Sequence, residues 1–226
     1  MTLKGGLNMP NSNRRKLALC GWLQEHQREV YESSLKLQKF LFFYEVFSKT
    51  EGENADFRNL QGYERGPVFS TVYGDYKHEK PELDQVSMSI HQDGLVKINQ
   101  DRAQKTSFMV KSLTENELTD LTHMFHIWRA KEDRIMSGER NVPLSEKDFN
   151  ENDEELISQI NAIYTKELVQ NSIIVSVGEK NFVFSSDDYN KLTEKHHETL
   201  LGLSTNPEIN NPVFVEIDKR GRLIVD

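Results

Sequence analysis

Cysteine is almost absent from this chain of 226 residues, which contains only Cys20. A single cysteine cannot form an intramolecular disulfide, and its position on an apolar helical face favours a buried, unreactive thiol over a nucleophile. Long apolar runs are also missing, because no stretch approaches the roughly 20 residues of a membrane-spanning helix. The segment 1–16 has no continuous apolar region of the kind found in secretion signals. We therefore expect a cytoplasmic protein with no membrane partner.

Positive charge is in deficit. The chain has 28 Lys and Arg residues against 36 Asp and Glu residues, which gives a formal net charge of −8. Nonspecific binding to nucleic-acid backbones requires clustered Lys and Arg side chains, so this balance argues against a nucleic-acid partner. The best local candidate, Arg14-Arg15-Lys16, is interpreted as the solvated start of a helix.

The short motifs of familiar catalytic and nucleotide-binding sites are missing as well. There is no G-x-S-x-G elbow, no P-loop and no G-x-G-x-x-G after a strand. His123 and His126 lie three residues apart, but no glutamate completes an H-E-x-x-H zinc motif. The sequence therefore predicts no catalytic residue, no cofactor and no metal site. An enzyme with unfamiliar chemistry stays an alternative.

A nearly all-apolar helix over residues 34–48 is the strongest feature that the chain does have. Its apolar residues surround the helix almost completely, which predicts burial on most sides. Ser33 or Ser34 is the expected N-cap. Lys36 and Lys39 lie on this helix, so at least one ammonium group must reach solvent or a carboxylate. We favour a structural ion pair, with a contact to a partner as the alternative.

A Gly66-Pro67 corner follows this helix. Glycine permits a positive φ that other residues resist, and proline has the fixed φ suited to a first helical position. The sequence therefore predicts a helix that begins at Pro67. Its inward face would carry Phe69, Val72, Tyr73 and Tyr76 at helical spacing.

These two segments together resemble a known family. The run Lys36-Leu37-Gln38-Lys39-Phe40-Leu41-Phe42-Phe43, followed after a loop by Tyr63-Glu64-Arg65-Gly66-Pro67-Val68 and Val72-Tyr73, is similar to the Panacea domain of SocA-like antitoxins. The order and spacing of the motifs over residues 34–76 carry the resemblance. Tyr63 stands where the family usually has tryptophan, and Arg65 where tyrosine or asparagine is common. The family's later Thr-His and Pro-Trp segment has no clear counterpart, and His123 and Trp128 resemble it only loosely.

The resemblance implies an antitoxin that neutralises a cognate protein toxin by direct stoichiometric binding. The candidate partner contacts are Lys36, Lys39, Tyr63 and Arg65. The residues expected to maintain the fold of the motif are Leu37, Gln38, Phe40, Leu41, Phe43, Gly66, Pro67, Val68 and Tyr73. The alternative is a proteolytic adaptor, or a phage or prophage regulatory protein that acts on a host protein.

The rest of the chain predicts a mainly α (α+β) protein. Residues 1–13 are expected to be a flexible tail because they contain little that could be buried. A compact helical domain should occupy 14–168, and a C-terminal β-β-α-β-β extension over 169–226 should dock on it. In the first helix, over 14–31, His26 is interpreted as a packed residue and not as a ligand.

Local signals define several further elements. Asp93-Gly94 between alternating segments predicts a hairpin of strands 86–92 and 95–99. Thr114 and Glu117 form the pattern of a capping box, which predicts a helix that continues to Trp128. An exposed connection over 133–153 should lead to a last helix of the domain at about 153–168. Strands are predicted at 172–177, 181–185, 213–217 and 222–225.

Overall fold

Helices make up most of this protein, whose computed structural model describes residues 9–226. In the first half of the chain they are α1 (Arg14–His26), α2 (Arg28–Glu32), α3 (Ser34–Thr50), α4 (Ser70–His78), α5 (Lys80–Gln92) and α6 (Gln100–Ser112). In the second half they are α7 (Glu115–His123), α8 (His126–Arg129), α9 (Glu132–Met136), α10 (Glu151–Ile163), α11 (Lys166–Asn171), α12 (Ser186–Tyr189) and α13 (Glu194–Ser204). Two small sheets complete the fold, so the predicted mainly α (α+β) class is confirmed.

The strands fall into one sheet near the middle of the chain and one near its end. The first sheet contains β1 (Leu60–Tyr63), β2 (Gly66–Phe69) and β3 (Val142–Pro143). The second contains β4 (Ser172–Val177), β5 (Lys180–Ser185), β6 (Val213–Ile217) and β7 (Leu223–Val225).

Helix α3 lies in the centre of the hydrophobic core. Every residue from Leu37 to Ser48 is buried, and the surrounding elements include α6, α7, α10 and β2. Ser33 caps the helix by accepting a hydrogen bond from the backbone N–H of Lys36 at 3.2 Å. The predicted burial on most sides and the predicted cap are confirmed. Cys20 of α1 is also fully buried, as predicted, and burial raises the pKa of its thiol to about 12.

A buried ionic cluster joins α1 to α3. Glu45 is fully buried and accepts hydrogen bonds from Arg15 Nε at 2.8 Å, from Lys16 Nζ and from the backbone N–H of Asp56 at 2.9 Å. Lys16 Nζ also donates to the carbonyl oxygen of Asp56 at 2.7 Å. The prediction that Arg14-Arg15-Lys16 is a solvated helix start is therefore wrong for Lys16, which is 1% exposed. These basic groups neutralise an internal carboxylate.

The segment around Gly66-Pro67 is a β-hairpin and not the start of a helix. Tyr63 pairs with Gly66 and Gly62 with Pro67, so Glu64-Arg65 forms a two-residue turn. The helix that was predicted to begin at Pro67 begins at Ser70 instead. Proline's fixed φ suits an extended segment as well as a first helical turn, and pairing with β1 decides between them. Gly66 has a φ of 100°, in the positive range that glycine permits.

The hairpin predicted across Asp93-Gly94 is wrong. Residues 80–92 form the single helix α5, which begins with Pro81 in its first turn and ends beside Gly94. Leu83, Val86 and Ile90 are buried at helical spacing and pack against α1. The apparent alternation of the segment reflects one face of a helix, and Gly94, at φ 66°, follows its end.

The capping box at the start of α7 is confirmed. Thr114 Oγ1 accepts from the backbone N–H of Glu117 at 3.3 Å, and the Glu117 carboxylate accepts from the backbone N–H of Thr114 at 2.7 Å. The helix is shorter than predicted, because α7 ends at His123 and α8 begins at His126. The expected connection over 133–153 contains part of α9, strand β3 and a single 3-10 turn at Glu146–Asp148.

The C-terminal segment forms a four-stranded sheet in the order β4-β5-β6-β7, close to the predicted bounds. Strands β5 and β6 are parallel and the other neighbours are antiparallel. Asn181 Nδ2 and Asn211 Nδ2 each donate to the carbonyl oxygen of Ser112 at 3.0 Å, and Val183 reaches the main core. The predicted helix between the strand pairs is divided into α12 and α13.

The end of the predicted flexible tail is bonded to α4. The side chain of Asp75 is 1% exposed and accepts from the backbone N–H and side chain of both Asn11 and Ser12, at 2.6–3.0 Å. Residues 1–8 of that tail lie outside the described residues. Within residues 9–226, no helix combines the length and the apolar character that crossing a membrane requires.

Candidate partner-binding pocket

A concave pocket of about 780 Å³ lies where the first turn of α3 meets the β1–β2 hairpin and the loop 138–141. Lys39, Tyr63 and Arg65 line this pocket, and they are three of the four side chains predicted as partner contacts. Gln38 and Tyr73 line it as well. We call this feature the α3 pocket.

Lys39 is a buried lysine at the base of the hairpin. The residue is only 1% exposed. Its Nζ donates to the carbonyl oxygen of Arg65 and to Thr122 Oγ1, the latter at 2.8 Å. Burial, and to a smaller extent the charge of Arg65, lowers the pKa of Lys39 to about 7. No carboxylate in residues 9–226 forms a salt bridge with it, so the predicted ion pair is wrong here.

Lys36 lies one turn earlier on α3 and does not line the pocket. Its Nζ is half-buried and donates to the carbonyl oxygen of Lys111 at 3.4 Å. Burial lowers its pKa, while the charge of Glu115 opposes that shift. Like Lys39, Lys36 forms no salt bridge within the described part of the chain. Of the two lysines predicted as partner contacts, only Lys39 therefore lines the pocket.

Tyr63 and Arg65 form the outer edge of the pocket. The Tyr63 ring lies 5.9 Å from the Tyr73 ring, centroid to centroid, and burial raises the pKa of Tyr63. The Arg65 side chain is 54% exposed, and its Nη2 lies 3.2 Å from Glu115 Oε2. Ser33 Oγ donates to Glu115 Oε1 at 2.7 Å, so this carboxylate also lies at the start of α3. The edge thus combines two aromatic rings with an exposed ion pair.

Gln38 supplies an unsatisfied hydrogen-bond donor. Its Oε1 accepts from the backbone N–H of Phe69 at 2.8 Å, which ties α3 to β2. Its Nε2 is buried and has no partner among the described residues. Leaving such a group unpaired costs on the order of 1–3 kcal/mol.

Gly66 determines how closely the hairpin approaches α3. Its φ of 100° favours glycine, and a Cβ at this position would overlap with Lys39 Nζ and Thr122 Oγ1. The glycine therefore lets the carbonyl oxygen of Arg65 reach the ammonium group of Lys39. The other predicted motif residues divide by location. Leu37, Phe40, Leu41 and Phe43 are fully buried in the core, Pro67 is also buried, and Val68 lines the pocket with Tyr73.

The sequence connects His123 and Trp128 only loosely with the motif and did not predict that they support the hairpin. Trp128 Nε1 donates to the carbonyl oxygen of Tyr63 at 3.0 Å, and the Trp128 ring stacks on His123 at 3.8 Å. Burial, followed by the charge of Lys39, lowers the pKa of His123. Thr122 and Trp128 lie far from the motif in sequence, and no local pattern marks them as neighbours of Lys39 or Tyr63.

Comparison of the chain with family models, curated proteins and solved structures finds no match. The chemistry of the α3 pocket therefore has to be argued from its own side chains. A buried amide donor, an aromatic wall and an edge with paired charges are features of a recognition site. The arrangement does not bring together a nucleophile, a base and a group that orients the base.

Proposed function

We propose that this protein is an antitoxin that neutralises a cognate protein toxin in the cytoplasm by direct stoichiometric binding. The Panacea-like motif in residues 34–76 supports this function. The α3 pocket is the proposed contact surface. In this proposal the toxin inserts a side chain or a short loop between the hairpin and the start of α3.

The observation that carries the proposal is the convergence of Lys39, Tyr63 and Arg65 on one pocket. These three residues were selected from the motif, which spans two separate segments of the sequence. In the fold they line this pocket together with Gln38, whose buried Nε2 has no partner among the described residues. An interface centre of this kind gains energy from aromatic groups and arginine, and from satisfying buried polar atoms.

Binding, and not turnover, is the proposed mode of action. Each antitoxin molecule occupies one toxin molecule, so protection follows the molar ratio of the two proteins. Titration of the toxin with this protein should reach full inhibition near one equivalent. Protection of a large excess of toxin by a trace of this protein would contradict stoichiometric neutralisation and favour a catalytic or adaptor role.

Co-expression with the product of the neighbouring gene, in cells that this product alone kills, tests the pocket. Tyr63→Ala and Arg65→Ala should abolish rescue, while purified variants remain folded. Arg28→Ala is a matched control, because Arg28 is also exposed and pairs with a surface glutamate, Glu32, at 3.3 Å. Rescue by the two pocket variants equal to that of the control would exclude this pocket as the contact surface.

A further inference from the structure

A second cluster of functional groups lies away from the α3 pocket, between α1 and α5. It consists of Glu25 and His26 in the last turn of α1 and His91 in the last turn of α5. One possible ligand atom from each residue lies within 4.8 Å of the others. The sequence shows no motif here, since His26 and His91 are far apart along the chain.

His26 makes a hydrogen bond of the kind that supports a metal-binding imidazole. Its Nδ1 lies 2.9 Å from the carbonyl oxygen of Trp22. A carbonyl oxygen can only accept, so Nδ1 carries the proton and Nε2 presents a lone pair. The ring also stacks on Trp22 at 4.5 Å, and Trp22 Nε1 donates to Gln100 Oε1 at 2.7 Å. A hydrogen bond from the other ring nitrogen to a carbonyl is the usual support of a ligating histidine.

His91 and Glu25 already face each other across the two helices. His91 Nε2 lies 2.8 Å from Glu25 Oε2, and the His91 side chain is 15% exposed. The two helices approach closely at Gly21, which has no side chain. A Cβ at this position would lie only 2.6 Å from His91 Cβ. The two halves of the cluster are therefore held on rigid, closely packed elements, and the third donor comes from the adjacent residue on α1.

We propose that Glu25, His26 and His91 form a binding site for a divalent transition-metal ion of the Zn²⁺ class. Two imidazole nitrogens and one carboxylate oxygen are ligands that Zn²⁺ prefers, whereas Ca²⁺ and Mg²⁺ prefer sites made of oxygen atoms. The ion takes the place of the proton that His91 Nε2 shares with Glu25, and that proton moves to Nδ1 or to solvent. Three protein ligands leave the fourth tetrahedral position to water.

The proposed ion links α1 to α5 and so stabilises the folded chain when it binds. Ligands that bind only the folded state raise its stability in proportion to the logarithm of their concentration. This consequence does not depend on the α3 pocket or on the identity of a toxin. Failure of either proposal leaves the other standing.

Calorimetric titration of the untagged, EDTA-dialysed chain with ZnCl₂ tests the site. We expect one Zn²⁺ per chain, a rise in the thermal unfolding midpoint with Zn²⁺, and no comparable effect of Mg²⁺ or Ca²⁺. Substitution with Co²⁺ should produce the visible absorption bands of a site with nitrogen and oxygen ligands and low coordination number. Absence of binding at tens of micromolar Zn²⁺ would overturn the proposal.

Variants separate this site from the other histidines. His26→Ala, His91→Gln and Glu25→Gln should each weaken Zn²⁺ binding by about tenfold or more. Glu25 is 51% exposed, so Glu25→Gln tests the site even if a histidine variant fails to fold. His126→Ala and His197→Ala, both at exposed positions, serve as controls and should bind Zn²⁺ like the parent. Unchanged binding in Glu25→Gln and His26→Ala, or loss of binding in a control, would refute the assignment.

Discussion

Lys16 and Lys39 are both 1% exposed, but their surroundings differ in one decisive respect. Lys16 donates to the carboxylate of Glu45 within the buried ionic cluster. Lys39 donates only to neutral oxygen atoms, one from the Arg65 backbone and one from Thr122. Burial lowers the pKa of both, to about 8 for Lys16 and to about 7 for Lys39.

The two buried lysines therefore differ in whether a carboxylate partner is present. The cluster around Lys16 is closed, because its cations and carboxylate satisfy one another inside the core. Lys39 has no carboxylate partner among the described residues, and it lines the α3 pocket together with Gln38, whose Nε2 is unpaired there. Removing a partner should therefore harm the first region through stability and the second region through recognition.

Glu45→Gln should have the largest effect on stability. The change leaves Lys16 buried and Arg15 partly buried without their carboxylate, and loss of one partner from a buried ion pair costs about 3–5 kcal/mol. Urea denaturation of parent and variant measures the change in the free energy of unfolding. Glu146→Gln is the control, because its exposed pair with Lys49 should contribute less than about 1 kcal/mol. Equal losses in the two variants would mean that the cluster is not the closed unit described above.

Gly66→Val should cause the second-largest loss of stability. The substitution changes the backbone position that faces Lys39. A β-branched residue at φ 100° is strained by about 1–3 kcal/mol, and its Cβ would also overlap with Lys39 Nζ. Thermal melts measure the loss. Gly74→Ala is the matched control, since Gly74 lies within α4 with nothing near the added Cβ and should gain up to about 1 kcal/mol. A Gly66→Val variant that melts like the parent would contradict the constrained corner.

Lys39→Met should change how the free energy of unfolding depends on pH. The folded-state pKa of about 7 lies below the ordinary value of 10.5, so between these values the unfolded chain binds a proton that the folded chain lacks. The contribution of this group to stability therefore rises with pH, by at most about 1.4 kcal/mol per pH unit. The variant should lose this slope between pH 7 and 10, measured by urea denaturation at each pH. An unchanged slope would show that the pKa of Lys39 is not lowered in the folded chain.

Local signals in the sequence account for much of the fold. The all-apolar pattern of α3, the Ser33 cap and the Thr114 capping box depend on residues within one or two turns, and all three are confirmed. The two errors near Pro67 and Asp93 arose where a local pattern fits a helix and a strand equally well. Contacts distant in sequence decided them: β1 pairs with 66–69, and α1 packs on 80–92.

The candidate site was predictable only in part. The motif predicted four partner contacts, of which Lys39, Tyr63 and Arg65 line the pocket. It could not show that Lys36, on the same helix as Lys39, lies outside the pocket. Gln38 was expected to be a structural residue, and one of its two polar atoms is structural, through Phe69 N–H. The other polar atom, Nε2, is unpaired because of three-dimensional packing. No local sequence pattern encodes that packing.

Arg65→Ala should have the smallest effect on stability, although it should abolish toxin rescue. Its pair with Glu115 joins side chains that are 54% and 43% exposed, and such pairs contribute about 0–1 kcal/mol. The backbone carbonyl that binds Lys39 is unchanged by the substitution, so the buried side of the pocket should persist. Thermal melts should therefore match those of Arg28→Ala, while toxin rescue is lost only in Arg65→Ala. Retained rescue would remove Arg65 from the contact surface, and a large loss of stability would mean that the edge of the pocket is part of the core.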